Sequence, residues 1–189
     1  MSTAKRLHYS YAEYLGMLDQ SELKLEYCDG AVYAMAGGSV AHAALSANLV
    51  ALLKGALPEG CKVFTSDLKV RIAASNMSTF PDVSVVCGPV ETADVDANAV
   101  INPVLLVEVT SRSTEDYDRG DKLSHYRQLP SLQAVLFVSH RSRDVTLVER
   151  TATGWDERIR RGGERLVIVD PPAALAVDDI YAGVALDPV

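Results

Sequence analysis

Three residues carry the chemistry available to this sequence: Asp82, Glu108 and Lys122. Asp82 follows Pro81 and opens the apolar run Val83 to Cys87. Glu108 interrupts a second run, Val104 to Val109, that is otherwise apolar on both alternating faces. Continuous apolar runs of this length suit a central strand covered on both sides. A charge in such a strand costs roughly several kcal/mol unless it is paired or bound to a metal. If the two strands are neighbours, Asp82 and Glu108 converge at one end of a sheet. Oxygen donors of this kind suit Mg²⁺ or Mn²⁺, which keep several waters and take one or two protein carboxylates, and the carbonyl of Val109 offers a third ligand. The plainer readings are that Asp82 caps a turn after Pro81 and that Glu108 pairs with a basic residue.

Asp118, Lys122 and Tyr126 are spaced four apart, which places them together on one helical face. The helix begins a few residues after the Glu108 run, so its first turn can return Lys122 to the carboxylates, where an ammonium would stabilise charge on a phosphate. On periodicity alone a solvated Asp–Lys pair explains the same spacing. Glu26, within Leu25-Glu26-Tyr27, reads first as an outward polar residue of a half-exposed hairpin. His42 lies among alanines at the start of a long helix and reads as a satisfied core or interface histidine. Arg112, just beyond Glu108, is a loop cation or a phosphate contact. His8, His125 and His140 show no metal spacing and are expected to face solvent. No G-x-S-x-G, G-x-x-x-x-G-K-[ST] or G-x-G-x-x-G motif is present.

The elements that must position these residues are legible in outline. Ser10-Tyr11-Ala12-Glu13 is a capping box that predicts a helix over about Tyr11 to Leu18. Leu23 to Tyr27 and Ala31 to Met35 flank the turn signal Asp29-Gly30. Ser39 caps a long Ala- and Leu-rich helix to about Leu57, apolar around its circumference and expected to be mostly buried. Strands follow over Lys62 to Thr65, Leu68 to Ile72 and Val83 to Cys87. A polar loop is expected over 73–79 and an acidic loop over 88–102. Beyond Glu108, a helix from about Asp118 to Leu129 leads to strands at Ala134 to Ser139 and Asp144 to Thr151. A further hairpin is expected between Trp155 to Arg161 and Arg165 to Val169, around Gly162-Gly163. Pro171-Pro172 and a short helix within Val177 to Val184 close the chain.

At 189 residues the chain is expected to form one domain over 10–189 behind a flexible tail at 1–9. The net charge of −7 argues against a protein held on nucleic acid by general electrostatics, which usually shows a basic stripe, but leaves room for an acidic cluster neutralised by metal. The three cysteines are odd in number and widely spaced, so each is expected to pack as a small apolar residue in a reducing compartment. With no signal-peptide pattern and no apolar run of membrane-spanning length, a cytoplasmic protein without membrane contact is expected.

Taken in order, Phe80-Pro81-Asp82-Val83-Ser84-Val85-Val86, Val107-Glu108-Val109-Thr110-Ser111 and the Asp118…Lys122…Tyr126 helix resemble the PD-(D/E)XK nuclease superfamily. More narrowly, they resemble the bacterial putative restriction endonuclease family called Uma-two. The likeness extends over Tyr11-Ala12-Glu13-Tyr14-Leu15, Glu26-Tyr27-Cys28-Asp29-Gly30, His42, Ser113-Thr114 and Leu175 to Val184, nearly the whole chain. The resemblance implies an α/β fold: a restriction-endonuclease-like core, a mixed β-sheet flanked by helices, and extra N-terminal and C-terminal hairpins. It implies a Mg²⁺- or Mn²⁺-dependent endodeoxyribonuclease acting on DNA, with a homodimer suited to cutting both strands. The superfamily's lysine two residues past the acid is Thr110 here. The resemblance implies that Lys122 supplies that ammonium and that Glu26 joins the acids. The alternatives are a catalytically inactive dimeric binding or assembly module on the same fold, or a hydrolase of another phosphoester such as RNA.

Overall fold

The computed structural model describes residues 7–35, 37–110 and 115–187. Helix α1 (Tyr11–Gln20) begins at Ser10, whose hydroxyl accepts the Glu13 amide while the Glu13 carboxylate accepts the Ser10 amide. This is the reciprocal box expected from the sequence. Strands β1 (Leu25–Cys28) and β2 (Ala31–Ala34) pair antiparallel across Asp29 and Gly30, both at positive φ as a two-residue primed turn requires. Tyr9 is tied to this hairpin: its amide donates to the Gly30 carbonyl at 2.9 Å. Helix α2 (Val40–Ala56) buries Ala41, Leu45, Leu49 and Leu53. These positions repeat every four residues, so one stripe is covered and not the whole circumference.

The middle of the chain is richer in strands than expected. It runs β3 (Cys61–Thr65), β4 (Lys69–Ile72), β5 (Met77–Thr79), β6 (Val83–Cys87), β7 (Thr92–Ala93) and β8 (Asp96–Val100). The supposed polar loop over 73–79 contains β5, and the supposed acidic loop over 88–102 contains β7 and β8. Composition misled because the acid that matters is paired. Asp96 is buried, Lys69 Nζ lies 2.7 Å from it, and the Tyr11 hydroxyl donates to it at 2.6 Å. Burial pushes the Asp96 carboxyl up, but these two donors more than offset it and hold the group below its usual range.

After β9 (Leu105–Thr110), a helical segment is built from α3 (Glu115–Tyr117), a π-helical turn (Asp118–Lys122) and α4 (Leu123–Tyr126). Strands β10 (Ala134–Ser139), β11 (Asp144–Thr151), β12 (Gly154–Arg161), β13 (Arg165–Ile168) and β14 (Ala173–Ala176) lead to α5 (Val177–Ile180). The C-terminal hairpin differs from the expectation. β12 pairs with β11 over all eight residues, whereas β13 pairs with β14 across a turn containing the cis Asp170–Pro171 bond. Leu166 and Ile168 on β13 enter the core under α2, and Leu175 on β14 is the cross-strand partner of Leu166. The alternating charged strand β12 has no such apolar pair to offer.

The main sheet is mixed, in the order β12-β11-β10-β9-β6-β3, with β9 and β10 parallel. A second sheet runs β2-β1-β5-β4-β8-β7. One face of the main sheet packs Val85, Leu105, Val107 and Leu136 against α2 and the β13–β14 hairpin. The other packs Leu106, Val135 and Phe137 against α4 and residues Val70, Ile72 and Met77 of the second sheet. Strand β9 is therefore covered on both faces, which accounts for its unbroken apolar character.

Cys61 and Cys87 face each other across β3 and β6 and form a disulfide, correcting the expectation that all three cysteines are unpaired; Cys28 remains a free thiol. The bridge closes a loop of sequence separation 26. A bond closing a loop of that length contributes about 2–4 kcal/mol by restricting the unfolded chain. Reduction with dithiothreitol is expected to lower the urea midpoint accordingly. Coincident unfolding curves for the reduced and oxidised chain would show that the bridge adds nothing.

Candidate active site

Strands β6 and β9 run antiparallel with Val83 opposite Val107, which brings Asp82, the residue before β6, alongside Glu108. The Val109 amide donates to Asp82 Oδ2 at 2.8 Å. On the other oxygen, His42 Nε2 lies 3.2 Å from Oδ1. His42 can stand there because Gly38 has no side chain: a Cβ at that position would lie 2.6 Å from the imidazole Nδ1. The hydrogen bond to Asp82 raises the His42 pKa against the opposing effect of burial.

Glu108 of β9 is buried together with Lys122 and Tyr126 of the helical segment. Lys122 Nζ is 3.0 Å from Glu108 Oε1, and the Tyr126 hydroxyl donates to the same oxygen. The second sheet contributes Glu26, whose Oε1 lies 3.2 Å from the same ammonium. That oxygen also accepts the Thr79 hydroxyl and, at 3.3 Å, the Phe80 amide. Asp118, one π turn before Lys122, approaches the ammonium at 3.9 Å. A single buried cation thus serves three carboxylates delivered by β1, β9 and the helical segment.

Burial pushes the Glu108 carboxyl up to about 8; Lys122 and Tyr126 pull it down, while Asp82 and Asp118 push it further up. Burial pulls Lys122 the other way, toward neutrality, but Glu108, Glu26 and Asp118 overcome this and hold its pKa well above the ordinary lysine value. Burial and the charge of Glu108 also raise the Tyr126 phenol, keeping it a donor.

The resemblance drawn from the sequence implies a divalent metal. Among the described residues, no group of three or more His, Cys, Asp or Glu side chains is arranged as a complete cage. The donor set nevertheless fits a hard dication of the Mg²⁺ type, which takes one or two carboxylates and fills its remaining positions with water. Asp82 and Glu108 are neighbouring acids whose mutual repulsion such an ion would relieve. The Val109 amide also touches this pair, through Asp82.

The structure brings together Asp82, Glu108, Lys122, Glu26, His42, Asp118 and Tyr126. Arg112 lies outside the described residues. Two plainer readings fall: the Asp118–Lys122 pair is buried rather than solvated, and Glu26 points inward. His140 does not face solvent as expected; it is buried, and its Nδ1 lies 2.7 Å from Asp187. His125 is half-buried, 3.6 Å from Cys28 Sγ. Thr110, in the position of the superfamily lysine, is buried and its hydroxyl lies 3.5 Å from the Val138 carbonyl on the neighbouring strand. Thr79 and the Phe80 amide, which seat Glu26, were not foreseen. The only local signal for them was their place just before Pro81-Asp82.

Residues 11–178 match the family model Uma2, described as putative restriction endonuclease. An uncharacterized protein of Synechocystis sp., slr1290, is 39% identical over 175 residues, covering 92% of this chain and 91% of that protein. A second Synechocystis protein, sll1609, also uncharacterized, is 35% identical over 128 residues, 67% of this chain and 72% of that protein. The crystal structure of a putative nuclease belonging to DUF820 from Anabaena variabilis superposes with a TM-score of 0.72 at 16% identity, covering 87% of this chain and 93% of the other. That likeness is one of fold, and it agrees with the restriction-endonuclease-like α/β core built above. By the span of the family match, the chain belongs to the Uma2 family of putative restriction endonucleases.

Proposed function

We propose that the protein is a metal-dependent endonuclease that hydrolyses phosphodiester bonds of DNA, with Asp82, Glu108, Lys122 and Glu26 as its working residues. The observation that carries this reading is Lys122, its ammonium 3.0 Å from Glu108 although it comes from a different element than the superfamily lysine. Asp82 and Glu108 would hold Mg²⁺ or Mn²⁺, an ion that, when bound, polarises a phosphate and lowers the pKa of its water. Lys122 neutralises charge developing on the phosphoryl oxygens. Glu26 and Asp118 keep Lys122 protonated and aimed. Tyr126 fixes the Glu108 carboxylate, and the Val109 amide and His42 fix the two oxygens of Asp82. The reading includes a homodimer and a cytoplasmic location. Since a reducing cytoplasm disfavours disulfides, the thiol state of Cys61 and Cys87 in freshly lysed cells tests the location.

Asp82→Ala is expected to abolish cleavage of plasmid DNA in Mg²⁺ or Mn²⁺ while leaving the fold intact, because Asp82 lies at the margin of the core. Equal cleavage by wild type and variant would defeat the assignment. Failure of the wild type to bind either ion at millimolar concentration would favour a non-catalytic module on this fold.

A further inference from the structure

Two tyrosines stand apart from the others. Tyr14, Tyr27, Tyr126 and Tyr181 are fully buried, whereas Tyr33 is 47% exposed and Tyr117 is 37% exposed. Neither position is explained by the core. Tyr33 is the cross-strand partner of Glu26 on β2, so the two side chains share one face of the hairpin. Since β2 is the edge strand of its sheet, that face ends at Tyr33. Tyr117 closes α3 immediately before the π turn that carries Lys122. It lies within electrostatic reach of Glu26, Lys122 and Tyr33. The two exposed rings thus flank the acid–lysine cluster, one from the second sheet and one from the helical segment.

The cluster they flank is deep. Glu108 is 5% exposed, Lys122 4% and Glu26 9%. In a duplex the paired partner strand restrains each phosphate, whereas an unpaired strand can bend its backbone toward a buried cluster. The net charge of −7 gives no form of DNA a general electrostatic hold, so contacts other than phosphate neutralisation must carry affinity. Exposed aromatic rings beside a phosphate-reading site are the usual means of holding unpaired bases, each stack being sequence-tolerant.

We propose that Tyr33 and Tyr117 form a stacking platform for unpaired bases, so that the preferred substrate is single-stranded or locally melted DNA. The inference rests on the nuclease reading for the identity of the ligand, but its test reads binding and not cleavage. Fluorescence anisotropy of a labelled oligonucleotide is measured with the full chain in EDTA, so that no strand is cut. The single strand is expected to bind about ten-fold more tightly than the matching duplex, and Tyr33→Ala or Tyr117→Ala to weaken single-strand binding by about ten-fold each. Tyr33→Phe and Tyr117→Phe are expected to keep wild-type affinity, because stacking needs the ring and not the hydroxyl. Unchanged melting temperatures would show that the exposed sites were altered without damage to the fold. Duplex binding as tight as single-strand binding would overturn the proposal, as would single-strand affinity retained in both alanine variants. The two readings fail separately. Cleavage of duplex DNA at equal rates by wild type and both alanine variants removes the platform and leaves the nuclease. Ring-dependent single-strand binding without cleavage under any metal removes the nuclease and leaves the platform.

Discussion

Lys122→Met is expected to destabilise the protein by about 3–5 kcal/mol and to lower DNA cleavage at least about a hundred-fold. The methionine matches the stem of the lysine but removes the one cation shared by Glu108, Glu26 and Asp118. What remains are Glu108 and Glu26, two buried acids that have lost the ammonium they share. The sign follows from linkage. The folded pKa of Lys122 lies above its unfolded value, so its contribution is fully present at neutral pH and is lost only in strong base. Urea unfolding at neutral pH measures the cost. Combining Lys122→Met with Glu108→Gln should recover part of it, since Glu108 without the ammonium that pulls its pKa down must be buried at a cost that a neutral amide does not carry; a double-mutant cycle reads this coupling. A single-variant loss under about 1 kcal/mol would mean that the ammonium is not integral to the core, and the threshold lies well below the range for a broken buried pair.

Divalent-cation binding is expected to strengthen as pH rises from about 6 to about 9, by up to about two orders of magnitude, because a ligand must shed its proton before it can coordinate. The group responsible is Glu108, whose carboxyl burial pushes up to about 8. Its effect on stability has the opposite sign. A carboxyl with a raised folded pKa holds its proton in the native state while the unfolded chain has released it. In the metal-free protein the Glu108 contribution is therefore present below the unfolded value of 4.5 and lost as pH rises through about 8. Addition of Mn²⁺ at the high end should restore it. Calorimetric titration with Mn²⁺ across this range, on wild type and Glu108→Gln, is the check. Affinity independent of pH, or a Glu108→Gln variant binding as wild type does, would place the ion elsewhere.

The candidate site was more legible in the sequence than the fold around it. Pro81-Asp82 before one apolar run and Glu108 inside another marked two carboxylates that meet only if their strands are neighbours, and β6 and β9 are adjacent. The spacing of Asp118, Lys122 and Tyr126 placed them on one face, and they do converge, although through a π turn that no periodicity announced. The short strands were not legible. β5, β7 and β8 have two to five residues and polar or acidic composition, and they exist because tertiary partners satisfy them: Lys69 and Tyr11 for Asp96, and the sheet for Ser78 and Thr79. The partner of β12 was also misjudged, since a glycine pair after a strand signals a turn without saying which strand lies beyond it.

The sequence by itself determined which residues can do chemistry here, that β9 is central, and that its one charge needs a partner. Those conclusions depend on local composition and on the cost of a buried charge, both of which travel with the chain. Tertiary structure alone decided that the partner is Lys122 and that Glu26, far away in sequence, shares it. It also decided that the Val109 amide and His42 take the two oxygens of Asp82. A lysine side chain reaches several ångströms in any direction, so spacing restricts it to a face. Only the packing of α4 against β9 and the second sheet selects the acids it meets.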